Sequence, residues 1–214
     1  RLSSEGTGGW GFSGAASGYK VRALADLSGY NKTTGQQIFA TKVRNLAKVG
    51  GSRLASLLTV VSRSLLADGL GDTSKFAWGV YPSSKQGTGG QDSEVLSDFT
   101  HRLRTTVSRV RYAKRDSPLF IRHRPSTKRS SGGGSGDRTD PSEQLETMII
   151  NPEYRNKLDG RRVVVIDDCT TYGVSFGVAS ALLRRAGASE VLCVALGKFG
   201  NQLRQYQIDV TGDP

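Results

Sequence analysis

The sequence predicts an α/β fold in which a central, mostly parallel sheet is flanked by helices, with a helical extension on its N-terminal side. Residues 163–166 are four consecutive β-branched residues, VVVI. An unbroken apolar run of this kind indicates a strand that is covered on both faces, as the central strands of parallel sheets are. Residues 191–196 form the next apolar run. Between the two runs, apolar residues recur at helical spacing from about Val174 to a stop at Gly187: Phe176, Ala179, Leu182, Leu183 and Ala186.

The N-terminal part of the chain divides into a low-complexity segment and a helical region. Residues 1–35 are rich in Gly and Ser, lack a periodic apolar face, and are predicted to be a flexible extension. Residues 36–214 are predicted to be the folded domain. Apolar residues recur at helical spacing over residues 36–49 and 52–66, so two amphipathic helices are expected there.

The middle of the chain alternates short strands with polar segments. Residues 76–81 and 119–121 predict strands, and residues 95–114 predict a basic amphipathic helix between them. A Gly and Ser tract makes residues from about 125 to 140 a flexible loop. The segment that follows, DPSE, predicts a helix start with Asp140 as the N-cap.

The composition restricts the class of protein. The 214 residues, of which 36% are hydrophobic, are enough for one domain with a substantial core. No apolar run approaches the length of a membrane span, so no membrane association is expected. The formal net charge of +11 favours polyanionic partners, either a polyphosphate substrate or nucleic acid.

The cysteines favour a reducing, cytoplasmic location. Cys169 and Cys193 lie in or beside predicted strands and do not form a spaced disulfide framework. Together with His101 and His123 they do not make a zinc cluster. Cys169 lies in the loop described next, where it is either a reactive thiol or a small space-filling residue.

Two acids and a glycine-containing turn follow the predicted central strand. Asp167 and Asp168 lie at its carboxyl end, where ligands bind in open α/β sheets. The start of a helix favours an anion, because its free N–H groups carry partial positive charge. The alternative is an ordinary strand-turn-helix in which the acids cap the helix. Hydroxyls and a permissive backbone follow the acids: Thr170, Thr171, Gly173 and Ser175.

These residues resemble the phosphoribosyl diphosphate (PRPP) motif of the type I phosphoribosyltransferases, which is a hydrophobic strand, two acids, two small or apolar residues and a Thr-Thr-Gly-x-Thr turn. The order of elements over residues 76–200 is most similar to the ComF-like branch, which is linked to DNA uptake. The resemblance implies that Asp167 and Asp168 are the catalytic pair that holds the ribose hydroxyls. It also implies Mg²⁺, bound with PRPP and contacted indirectly by the same acids. The implied 5′-phosphate loop consists of Cys169, Thr170, Thr171, Tyr172, Gly173, Val174 and Ser175.

The resemblance implies three further parts of a site. The loop after the first core strand would bind diphosphate through Ser83, Ser84 and Lys85. On the residues alone, a plain surface loop is the alternative. The flexible loop would close over the site with its basic residues: Lys128, Arg129 and Arg138. The exit of the strand predicted at residues 191–196 would line the acceptor pocket: Lys198 and Phe199.

The implied activity is the transfer of phosphoribosyl from PRPP to a nitrogenous acceptor, with diphosphate as the leaving group and PRPP or a nucleoside monophosphate as the ligand. Two departures from the family pattern are Tyr172, in place of a small hydroxyl residue, and the Cys169-Thr170 pair, in place of an aliphatic pair. They leave open a non-catalytic sensor of PRPP or nucleotides. The basic surface leaves open a further alternative, a component that associates with nucleic acid. A strong salt dependence of nucleic-acid binding would be the sign of this alternative. Family members often dimerise, so a homodimer is compatible with this prediction.

Overall fold

The computed structural model describes residues 9–12, 19–28, 33–38, 40–41, 76–82, 84, 118–126 and 137–211. In chain order, these residues form β1 (Gly9–Phe12), β2 (Tyr19–Asp26), β3 (Ala77–Val80), β4 (Phe120–Arg122), helix α1 (Ser142–Thr147), β5 (Met148–Ile150), a 3₁₀ helix (Pro152–Lys157), β6 (Arg162–Thr170), helix α2 (Val174–Arg185) and β7 (Glu190–Lys198). Residues 34–38 and 40–41 are also helical.

Within the described residues, five strands form one sheet in the order β1-β2-β7-β6-β3. The pairs β2·β7, β7·β6 and β6·β3 are parallel, whereas β1 is antiparallel to β2. Helix α2 connects β6 to β7 and packs against both strands. The predicted α/β architecture, a mostly parallel sheet flanked by helices, is therefore confirmed.

Strand β6 is an internal strand of the sheet, between β7 and β3, which explains its unbroken apolar run. Residues 163–166 are fully buried, as the sequence predicts for a strand covered on both faces. The strand continues further than predicted, because the pairing with β7 extends to Cys169 opposite Gly197 and Thr170 opposite Lys198. The two acids consequently lie within the paired part of β6 and not in a loop.

The N-terminal region differs from the extension predicted over residues 1–35. Strand β2 pairs with β7 along its length, and β1 adds an antiparallel edge. Tyr19, Val21 and Ala23 are buried, which is the period-two pattern of a strand with one face on the core. The Gly and Ser composition of residues 3–18 obscured this short alternation. The first residues of the helix predicted at 36–49 are helical, whereas its remainder and the helices predicted at 52–66 and 95–114 lie outside the described residues.

Helix α1 begins one residue later than predicted, whereas the end of α2 follows the predicted local signal. The N-cap of α1 is Pro141 and not Asp140, and no side chain caps the helix. The Asp140 Oδ1 instead accepts hydrogen bonds from the Ser142 amide at 2.9 Å and from the Ser142 hydroxyl at 2.7 Å, which forms a turn before the helix. At the end of α2, Gly187 has a φ of +91°. Its amide donates to the Arg184 carbonyl at 3.0 Å and the Ala188 amide donates to the Leu183 carbonyl at 2.9 Å, which is the Schellman arrangement.

Strand β4 lies one residue later than predicted and pairs with β5, which the sequence analysis did not predict. This two-stranded ribbon is separate from the main sheet, and Asn151 ties it to the chain that follows. The Asn151 side chain donates to the Pro118 carbonyl at 2.8 Å and accepts from the Glu153 amide at 3.1 Å. No helix within the described part of the chain is long and apolar enough to cross a membrane.

Candidate functional site

The carboxyl ends of β3, β6 and β7 meet at one edge of the sheet, because these strands run parallel. Val80 lies opposite Ile166, and Ile166 lies opposite Val194. The residues that follow each strand segment are therefore brought together, although they are far apart in the sequence. In open parallel sheets this edge is where ligands bind. We call it the carboxyl edge.

Asp167 and Asp168 occupy this edge but differ in environment. Successive side chains of a strand point to opposite faces, so Asp167 is 9% exposed whereas Asp168 is exposed to solvent. The Asp167 Oδ1 accepts a hydrogen bond from the Asp168 amide at 2.8 Å, and the Asp168 Oδ1 accepts one from the Cys169 amide at 2.6 Å. Burial raises the pKa of Asp167 well above its usual value, and the neighbouring Asp168 charge raises it further. The exposed Asp168 is therefore the carboxylate that a ligand can reach.

Gly173 makes the turn between the acids and α2. Its φ of +84° is left-handed, a conformation that glycine adopts without strain. A Cβ at this position would lie 3.0 Å from Leu203 Cδ1 and 3.2 Å from the Arg204 carbonyl oxygen. Helix α2 then begins at Val174, and its first-turn amides have no partner within the helix. A left-handed turn that opens a helix at the carboxyl edge is suited to bind an anion.

The segment after β7 folds back over this turn, which the sequence analysis did not foresee. The Arg204 amide donates to the Tyr172 carbonyl at 2.9 Å. The Arg204 guanidinium lies 5.5 Å from the centroid of the Tyr172 ring, and the Arg138 guanidinium lies 6.0 Å from it. Arg138, predicted to belong to a closing loop, is thus beside the predicted phosphate turn. Two exposed arginines thus lie beside Tyr172, where the motif that the sequence resembles has a small hydroxyl residue.

The remaining predicted loops are described in part. Ser84 is half-buried, and its carbonyl accepts a hydrogen bond from the Ser126 amide at 2.9 Å. This bond brings the backbone of Ser84, after β3, against that of Ser126, after β4. The other predicted residues of these loops lie outside the described residues: Ser83, Lys85, Lys128 and Arg129.

Strand β7 ends beside β6, at the edge of the sheet where the sequence predicts Lys198 and Phe199 to lie. Thr170 is opposite Lys198, and the Phe199 amide donates to the Thr170 carbonyl at 2.9 Å. Phe199 is 40% exposed, and the Lys198 ammonium donates to Asn201 Oδ1 at 2.8 Å. An exposed aromatic ring and a lysine thus lie at the end of β7, beyond the register position of the acid pair, since Asp167 pairs with Ala195.

A buried polar cluster behind the acid pair was not identified in the sequence. The Arg122 guanidinium is 1% exposed and donates to Thr147 Oγ1 at 2.6 Å and to Gln144 Oε1 at 3.2 Å. The Tyr81 hydroxyl also donates to Gln144 Oε1. Burial raises the pKa of Tyr81 to about 12, although the nearby Arg122 opposes this shift. The single signal in the sequence was an arginine at the end of an apolar strand, which is also typical of a solvated strand end.

The acid pair suits a hard cation that is held partly by a ligand. No group of three or more His, Cys, Asp and Glu side chains among the described residues could hold a metal ion by itself. Mg²⁺ prefers oxygen ligands and commonly uses one or two carboxylates together with substrate phosphates. The exposed Asp168 carboxylate fits that role, with Asp167 beside it. The two cysteines differ: Cys169 is half-buried at the site, whereas burial raises the pKa of Cys193 well above its usual value, as expected for a core thiol.

The motif at β6 and α2 is the part of the chain that carries the resemblance to type I phosphoribosyltransferases. A scan against protein-family models gives no match for this chain, and a search of curated proteins gives none either. Assignment of a function therefore depends on the motif, the order of the elements and the geometry of the carboxyl edge.

Proposed function

We propose that the carboxyl edge binds PRPP together with Mg²⁺ and transfers its phosphoribosyl group to a nitrogenous acceptor. The observation that carries this proposal is the placement of an exposed Asp168 carboxylate directly before a left-handed glycine turn that opens α2. A carboxylate can accept hydrogen bonds from ribose hydroxyls, and the turn can bind the 5′-phosphate through backbone amides.

In this proposal, the other strand exits receive the remaining parts of the substrate. The diphosphate is assigned to the exit of β3, and the hydrogen bond from the Ser126 amide to the Ser84 carbonyl supports this by joining the chain after β3 to the chain after β4. The acceptor is assigned to Lys198 and Phe199 at the exit of β7, which the pairing of Thr170 with Lys198 supports. When bound, Mg²⁺ neutralises charge on the diphosphate leaving group.

In the proposed reaction, an acceptor nitrogen attacks C1 of the ribose, the C1–oxygen bond to diphosphate breaks, and the nitrogen loses a proton. Positive charge develops on the ribose ring, so the adjacent Asp168 carboxylate favours the transition state. The contribution of the protein is mainly to orient the reactants and to stabilise charge. Asp167 is buried and supports the backbone of Asp168 through its 2.8 Å hydrogen bond.

A sensor that binds PRPP or a nucleotide without transferase activity is the second candidate. The observation that favours it is the contact between the C-terminal segment and the turn, in which Arg204 bonds to the Tyr172 backbone and Leu203 approaches Gly173. This contact places the segment after β7 against the turn. Binding without diphosphate release over many hours would distinguish the sensor from the transferase.

Isothermal titration calorimetry of PRPP into the purified protein, with and without Mg²⁺, tests the proposal. Ribose 5-phosphate and AMP serve as comparators, and the Asp167→Asn, Asp168→Asn double variant serves as the control. We expect magnesium-dependent binding of PRPP that the double variant loses while remaining folded by circular dichroism. Equal affinity of the double variant and the wild-type protein would remove the acid pair from the ribose site. Absence of binding to all three ligands would overturn the proposal as a whole.

A further inference from the structure

Polar residues behind the acid pair connect four elements of the fold. They are the buried Tyr81, Arg122, Gln144 and Thr147 together with the half-buried Ser175, and we refer to them as the Tyr81 cluster. Gln144 Oε1 accepts hydrogen bonds from both Tyr81 and Arg122, and Arg122 also donates to Thr147. Buried polar groups are costly unless they are hydrogen-bonded, so this arrangement strongly restricts the side chains that take part.

Tyr81 is held in place by its backbone as well as by its side chain. Its amide donates to the Ile166 carbonyl at 2.8 Å, which extends the pairing of β3 with β6 and brings Tyr81 beside Asp167. Its ring lies 6.4 Å from that of Phe120 and 5.9 Å from the Arg122 guanidinium. The hydroxyl of Tyr81 therefore has a defined position at the carboxyl edge.

Ser175 links the Tyr81 cluster to the candidate site. It lies in the first turn of α2, and its side chain lowers the pKa of both Tyr81 and Asp167. Ser175 is therefore near enough to the Tyr81 hydroxyl and to the Asp167 carboxyl group to influence both. Any displacement of the Tyr81 hydroxyl would be transmitted to the side chains on which the site depends.

We propose that Tyr81, held by Gln144 and Arg122, is a positioning residue for the candidate site. It orients Ser175 and the Asp167 carboxyl group so that the turn faces the phosphate and Asp168 faces the ribose. The identity of the ligand rests on the proposed function, whereas the positioning rests on the contacts of the cluster. Tyr81 itself is buried and does not touch the substrate.

The chain supplies a matched control for a Tyr81→Phe variant. Tyr19 is also buried, its pKa is likewise raised to about 12 mainly by burial, and its hydroxyl accepts a hydrogen bond from the Tyr206 amide at 3.1 Å. It lies opposite Val191, at the start of β7 and therefore at the other edge of the sheet. Tyr19→Phe thus removes one buried hydroxyl whose partner is the Tyr206 amide and not a residue of the Tyr81 cluster, and both variants should show similar falls in Tm.

The first readout is the affinity for PRPP with Mg²⁺ by calorimetry. We expect Tyr81→Phe to raise Kd about tenfold, the size expected for one lost hydrogen bond. Tyr19→Phe should remain within about twofold of the wild-type Kd. Equal Kd values for the two variants would overturn the positioning role. Absence of binding by the wild-type protein would instead contradict the proposed function. The second readout would then test the positioning role of Tyr81.

The second readout is hydrogen exchange of the Asp168 amide, which donates to Asp167 Oδ1 and needs no ligand. We expect faster exchange in Tyr81→Phe than in Tyr19→Phe at equal global stability. The same exchange rate in both variants would overturn the proposal. Should Tyr81→Phe fail to fold, Thr147→Val removes the oxygen that accepts from Arg122, and Thr147→Ser retains it. Faster exchange in the valine variant, rescued by serine, is expected, whereas equal exchange in the two would count against the cluster.

Discussion

At the two edges of the central sheet, the pKa values of carboxyl groups are shifted in opposite directions. At the edge where β6 and β7 begin, which we call the amino edge, Glu190 is bonded to Lys20 at 2.9 Å and to Arg162 at 2.6 Å. Burial alone would raise the pKa of Glu190, but the hydrogen bonds from these two cations outweigh it and lower the pKa. At the carboxyl edge, burial and a neighbouring acid raise the pKa of Asp167.

This difference in electrostatics supports the proposal that the carboxyl edge is the binding site. A carboxylate that lies between two cations already has its counter-charges within the chain. Two adjacent acids repel each other, and their arrangement becomes favourable when an external group such as a cation or a ribose hydroxyl is present. The carboxyl edge therefore has the electrostatic character of a binding site, and the amino edge does not.

The largest expected effect is on ligand binding at the carboxyl edge. Asp168→Asn should weaken the binding of PRPP with Mg²⁺ about a hundredfold, because it removes the exposed charge while retaining the shape. Glu190→Gln, the same type of change at the amino edge, should leave the affinity unaltered. Calorimetric titration of both variants checks this prediction. Loss of affinity in both would mean that the effect arises from stability and not from the site.

A substitution at the turn should destabilise the fold as well as the site. Gly173→Ala places a β-carbon at a φ of +84° and within 3.0 Å of Leu203, so we expect a loss of about 1–3 kcal/mol. Gly160→Ala is the control, since its φ is +64° but no atom lies within 4 Å of the added carbon. Urea unfolding should show a smaller loss for the control. Equal losses would assign the whole effect to backbone strain and none to the segment that packs on the turn.

The two edges should respond oppositely to pH. The raised pKa of Asp167 means that the folded chain retains a proton that the unfolded chain loses above about 3.8, so stability falls as pH rises through this range. Asn cannot ionise, and the Tm advantage of Asp167→Asn over wild type should grow from acidic to neutral pH. For Glu190 the pKa is lowered, so its contribution is present above about 4.5 and is lost as pH falls.

Thermal unfolding from pH 3 to pH 8 measures both trends, with Glu190→Gln as the second variant. We expect Glu190→Gln to be less stable than wild type at neutral pH by at most about 1 kcal/mol, since the pair is partly exposed, and to converge with wild type in acid. Parallel pH profiles for all three proteins would contradict the contrast between the edges.

The smallest expected effect concerns the two arginines beside Tyr172. Arg204→Ala should weaken the binding of PRPP about threefold to tenfold at low salt, because an exposed cation contributes mainly through screened attraction. The difference from wild type should diminish as ionic strength rises. Arg161→Ala provides an exposed arginine before β6, at the amino edge, as a control. A salt-independent loss would indicate that Arg204 acts through its packing on Tyr172.

Local signals in the sequence were sufficient for the elements that form the candidate site. The run at residues 163–166 predicted a buried internal strand, Gly187 predicted the end of α2, and Asp140 predicted the start of α1 to within one residue. Each signal depends on residues within a few positions of one another, through apolar periodicity, capping or backbone freedom. Such interactions operate before distant parts of the chain meet, so they can be recognised in the sequence.

Contacts between distant residues required the tertiary structure. The bond between Lys20 and Glu190 joins residues 170 positions apart, and the strand that carries Lys20 was predicted to belong to a flexible extension. Three further features could not be recognised in the sequence. They are the burial of Asp167 but not Asp168, the bond between Tyr81 and Gln144, and the approach of Arg138 and Arg204 to Tyr172.

The sequence by itself determined the central strand, the acid pair, the glycine turn and the helix that follows, because these depend on short-range backbone and side-chain preferences. Tertiary structure alone decided which acid is exposed and which residues hold the pair in place. The physical reason is that burial and hydrogen bonding depend on which strands become neighbours, and neighbours in a parallel sheet are distant in the chain. The residue types of the candidate site and their order thus follow from the local sequence. Their burial and hydrogen bonding follow from packing between distant parts of the chain.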